Sequence, residues 1–94
     1  MTGNNPNVLS EAAERVQLEI AMETIAEYIG LFNMWITHEE AEEYPNQAKI
    51  DMMEAEIASA LQERKSLDPD NPQTLHKALY VYAPLLKATR MAGK

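Results

Sequence analysis

The sequence predicts an all-α protein: a long antiparallel helical hairpin with a third, Pro-kinked helix packed against it, making a small three- to four-helix bundle. Three observations point there. Apolar residues recur every three to four positions along 10–36, 46–66 and 72–91, the period of a helix with a buried side. The strongest breakers, Pro45 and the run Leu67-Asp68-Pro69-Asp70-Asn71-Pro72, fall between those stretches. Cap chemistry stands where the last stretch begins, as Asn71 followed by Pro72. The 94 residues suit one domain, with a flexible N-terminus over 1–8 and a single helical domain over 9–92.

The first helix is expected over 10–36 and has two apolar sides. At 100° per residue, Leu18, Met22, Ile25, Ile29, Phe32 and Ile36 form one stripe. Leu9, Ala13, Val16, Ile20, Leu31 and Met34 lie nearly opposite. Ser10 suits an N-cap, and Glu11 and Glu14 complement the dipole of the first turn. Nine of the twelve residues over 25–36 are apolar, and Gly30 sits in the middle of the stretch. A helix-interior glycine costs about 1 kcal/mol against alanine, so a close helix crossing is expected near Gly30.

Thr37-His38-Glu39-Glu40 matches a capping box. It predicts a break after Ile36 and a short acidic helix ending at Glu43 or Tyr44, before Pro45 disfavours helical geometry. The second long helix should start near Pro45 or Asn46, run to Ser66, and bury Ile50, Met53, Ile57, Ala60 and Leu61. The last helix, over 72–91, has Leu75, Leu79, Tyr82 and Leu86 as its stripe, with Ala78, Val81 and Leu85 alongside. Pro84 removes the N–H that would bond the Tyr80 carbonyl, so a kink is expected near Tyr80. The turn over 67–72 resembles the linkers between tetratricopeptide repeats. Ile57 and Arg64 stand where such repeats carry small residues, and no second repeat appears, so the likeness implies a turn and no function.

The net charge is -7, unevenly spread. Residues 1–56 hold twelve acids against Arg15 and Lys49, a balance of -10; residues 57–94 come to +3. An acidic surface repels nucleic acid and attracts a basic partner. The absence of cysteine removes disulfides and thiolate chemistry. The polar start carries no apolar signal core, and no apolar run reaches transmembrane length, so a soluble, cytoplasmic protein is expected.

Candidate chemistry is thin. His38 and Glu42 are spaced i, i+4, with Glu39, Glu40 and Glu43 nearby, yet a metal needs further ligands, and His76 is the only other histidine. Asp68, Asp70 and Asn71 lack the glycine and terminal glutamate of a calcium loop. No catalytic residue, cofactor or metal is therefore expected, and no enzyme. Glu39, Glu40, Glu42, Glu43, Asp51 and Glu54 are the expected partner-binding residues. Tyr28, Leu31, Met34 and Trp35 are the expected self-association residues of a homodimer, with Glu27 meeting Lys87 or Arg90 across an interface. The function expected is that of a small acidic binding protein that modulates or inhibits a partner, a basic nucleic-acid-handling protein or complex, in the manner of phage or plasmid inhibitors and antitoxins. The alternative is an assembly or secretion chaperone whose hairpin cradles an apolar segment. Neither direct nucleic-acid binding nor membrane association is expected.

Overall fold

The computed structural model describes the backbone over residues 6–92 and the side chains over 12–90. It is all helical among the described residues, as expected. The elements are α1 (Pro6–Glu40), α2 (Gln47–Ser66), α3 (Pro72–Lys77), a π-helical segment (Ala78–Tyr82) and α4 (Ala83–Ala92). The molecule is a rod of 69 × 24 × 17 Å, its length set by α1, whose 35 residues span about 52 Å at 1.5 Å each.

α1 is the shared element. α2 folds back along one flank, and the chain from Pro72 onward packs on another. In the body of the rod all three meet: Ala21, Ile25 and Tyr28 of α1 are buried with Ala60 of α2 and with Leu75, Ala78, Tyr82 and Leu86 of the C-terminal chain. Toward the tip, where α1 turns into α2, a second cluster holds only Ile36, Ile50 and Met53, flanked by Phe32, Trp35 and Ile57. All of these belong to α1 or α2.

Two boundaries differ from the sequence reading. The first helix starts at Pro6, a residue suited to a first helical turn. Ser10 thus lies inside the helix rather than capping it, and residues 6–8 belong to α1. The flexible reading of 1–5 lies outside the described residues. At the other end the helix does not break after Ile36. The Thr37 hydroxyl donates to the Asn33 carbonyl at 3.0 Å, the back-bonding of a threonine inside a helix, so it does not serve as a cap. Burial of Ile36 against Ile50 and Met53 gives the extra turn its support. The expected acidic helix is absent; 41–44 is turn and bend.

Two other helix starts carry side-chain caps, Asn71 as expected and Asn46 where only a helix start was expected. Asn46 Oδ1 accepts the Lys49 N–H at 3.1 Å at the start of α2. Asn71 Oδ1 accepts the Gln73 N–H at 3.2 Å ahead of Pro72. The turn between α2 and α3 is tied further by Thr74, whose hydroxyl accepts the Asp68 N–H at 2.9 Å and donates to the Asn71 carbonyl at 2.8 Å. Asp68 Oδ1 accepts the Asp70 N–H at 2.9 Å. Ile50, Met53 and Ala60 of the α2 stripe are buried, Ile57 is half-buried, and Leu61 is exposed.

The C-terminal helix is kinked as expected, through one widened turn. The π-helical stretch Ala78–Tyr82 precedes Ala83, so Pro84, the second residue of α4, follows directly on the widened turn, the irregularity that accommodates its missing N–H. The inserted π turn also changes heading. Tyr82 packs on Tyr28 at 5.2 Å between ring centroids, while Arg90, eight residues on, reaches Glu27. Eight helical residues advance about 12 Å, yet the contact on α1 moves only from Tyr28 to Glu27, and the buried cluster at the tip holds no residue of α4.

Candidate functional site

The acidic residues singled out from sequence cluster at the tip and on α2, in two different states. Glu39 ends α1 and ties down the connection. Its Oε2 accepts the Asn46 N–H at 3.1 Å, and its Oε1 lies 3.3 Å from Lys49 Nζ. The Asn46 N–H foremost, and then Lys49, hold its carboxyl below the usual carboxylate range. Asp51 accepts from Gln47 Nε2 at 2.8 Å. By contrast, Glu40, Glu42, Glu43 and Glu54 are exposed, and among the described residues none of their side chains makes a hydrogen bond or ion pair. Tyr44, 85 % exposed, stands beside them. Geometry therefore separates Glu39 and Asp51, already engaged, from four carboxylates facing water.

The metal idea gains no geometry: among the described residues no group of three or more histidines and acids converges. His76 packs edge-on to Tyr80, with centroids 5.8 Å apart.

The self-association set does not form one open surface. Tyr28 is 4 % exposed and sits in the body between Phe32 and Tyr82, at 4.8 and 5.2 Å. Its hydroxyl donates to Glu56 Oε2 at 3.0 Å. Burial, and then the Glu56 carboxylate, push its pKa up to about 12. Burial likewise raises Tyr82. Leu31 and Trp35 are half-buried, packed on the body and tip clusters respectively. Of the four, only Met34, at 47 %, is exposed. The sequence reading placed Tyr28 by its flank on α1; what it lacked was the third helix, whose Tyr82 covers that flank. Glu56, the acid that anchors Tyr28, was also missed, since no local pattern marks a partner 28 residues away.

The expected Glu27 pairing is present, but within one chain. Arg90 donates to Glu27 Oε2 at 2.6 Å, an exposed bridge between α4 and α1. Lys77 pairs with Glu63 and ties α3 to α2; this interaction raises the Lys77 pKa.

Two open grooves flank α1. One, of about 250 Å³, is lined by Glu19, Met22, Glu23, Ala26 and Arg64. The other, of about 420 Å³, lies by the turn and is lined by Glu14, Arg15, Leu18, Pro69 and Asp70. The described core holds no buried polar or charged residue. No described helix is long and apolar enough to cross a membrane. No family model, curated protein or solved structure matches this chain.

Proposed function

We propose that this chain is a small, acidic, non-enzymatic binding protein that modulates or inhibits a basic partner, of the kind that handles nucleic acid. The observation that carries the reading is the set of exposed carboxylates, Glu40, Glu42, Glu43 and Glu54, which have no cation on them within the described chain. Asp51 adds a charge on the same stretch of α2, and Glu39 holds the connection in shape beneath them. Exposed like charges repel one another, and a basic surface relieves that repulsion while being steered toward it.

The test is capture from the native host followed by binding kinetics on what is captured. Association should slow with salt, since the Debye length is about 8 Å at physiological ionic strength. It should slow most when Glu40, Glu42, Glu43 and Glu54 are all replaced by Gln, which leaves the tie of Glu39 to Asn46 and Lys49 in place. Kinetics unchanged in that variant across the salt series would make these acids a solvated face.

A second reading, a chaperone whose hairpin holds an apolar segment of another protein, is favoured by the groove along Met22 and Ala26. It predicts that Met22→Lys weakens capture and that salt has little effect.

A further inference from the structure

The outward side of α1 carries a stripe whose apolar members stay exposed among the described residues, with Arg90 reaching Glu27 in its middle. Val16 is 54 % exposed, Ile20 46 % and Met34 47 %. Gly30 lies on the same side, and a Cβ built on it would meet no atom within 4 Å. The close crossing expected at Gly30 is thus not made among the described residues, although a glycine inside a helix is a conformational liability.

At 100° per residue, Val16, Ile20, Glu23, Glu27, Gly30 and Met34 share an arc of about 80°. Their spacings are four, three, four, three and four, which read the same in both directions about position 25. This is the alternation of a helix-pairing seam, and it matches itself when a second copy runs the other way. Val16 then stands opposite Met34 of the second copy, and Ile20 opposite Gly30. A branched side chain thereby meets the open space above the glycine. Glu23 stands opposite Glu27, which already carries Arg90 at 2.6 Å, so each Glu23 approaches a guanidinium. Lys87, one turn before Arg90, has no ion pair among the described residues and adds positive charge to that helix. A parallel pairing instead sets each residue against its twin: Glu23 on Glu23, Glu27 on Glu27, and two glycines facing across a gap.

From the exposure, the self-matching spacing and the charge complementarity, we infer that a second copy of this chain covers this side of α1. The two copies form a two-fold antiparallel dimer in which Ile20 of each is seated over Gly30 of the other. This surface is separate from the acidic tip, and the inference does not rest on the function proposed above.

The test uses the chain alone. Sedimentation at tens of micromolar should give a dimer, and Gly30→Leu, at an exposed helical position, should keep full helicity while weakening the dimer by at least about tenfold. The chain has no cysteine, so Ile20→Cys and Gly30→Cys chains can be oxidised separately and mixed. In the antiparallel register like positions are about 15 Å apart along the helix, beyond disulfide reach. Each variant alone should therefore stay uncross-linked, and the mixture should yield the covalent dimer. Cross-linking of either variant with itself in preference to the mixture, a dimer indifferent to Gly30→Leu, or a monomer throughout this range would each overturn the inference.

Discussion

Around Tyr28 the long helix is flanked by two neighbours, whereas around Ile36 it has one. The same helix supplies both regions, and its sequence is as apolar at the tip as in the body. The buried clusters nevertheless differ in size: eight residues drawn from all three helices make the body cluster, and three from α1 and α2 make the tip cluster. The deciding element is α4, which contributes Leu86 to the body cluster and no residue to the tip cluster. Apolar content thus marks what a chain can bury, and the path of the third helix selects what it does bury.

The largest separation between the regions should appear in truncations. Ile25→Ala leaves a hole among three helices, and its stability should fall by about 3–4 kcal/mol. Ile36→Ala, in a site that can collapse from one side, should lose about 2 kcal/mol. Denaturant melts of both variants check this, and equal losses would mean the tip is as tightly held as the body. The next effect is electrostatic. Tyr28 has its pKa raised to about 12, so its contribution is complete below the unfolded value near 10 and is lost as pH rises from there through about 12. Melts in alkaline buffer should show this loss, and Tyr28→Phe should remove Tyr28's share and leave that of Tyr82, whose pKa burial also raises. At neutral pH Tyr28→Phe removes the bond to Glu56 and should cost about 1 kcal/mol.

Caps sharpen the comparison further. Asn46→Ala opens the start of α2 at the tip, and Asn71→Ala opens the start of α3 beside the body; each should cost about 1 kcal/mol. Hydrogen exchange should place the first loss in residues 46–50 and spread the second through the C-terminal helix, because α3 depends on its turn. The smallest effect is expected from Glu27→Gln. Its bridge to Arg90 is more than half exposed on both sides, and such pairs contribute about 0–1 kcal/mol. The stability of the isolated chain should barely move.

Much of the architecture was legible because it follows from local chemistry. Asn71-Pro72 and the three-and-four spacing of Ile50, Met53 and Ala60 act over short windows, so they fold as they read. Thr37-His38-Glu39-Glu40 reads equally well as a cap but does not act as one: Thr37 bonds back to Asn33, and Glu39 reaches forward to Asn46, seven residues on. The exposed tip acids were legible as types, and only the fold distinguishes Glu39 and Asp51, which are engaged, from Glu40, Glu42, Glu43 and Glu54, which are not.

By itself the sequence determined that this protein is helical, where two of its three long helical stretches begin, that the last one bends near Pro84, and that negative charge gathers in its first half. Those are properties of short windows, set by periodicity, caps and composition. The tertiary structure alone decided that Tyr28 is interior and held by Glu56, that Arg90 finds Glu27 in its own chain, and that Val16, Ile20 and Met34 remain uncovered. Each of these depends on where a distant helix lies, and a helix with two apolar sides does not say which of them its own chain will reach.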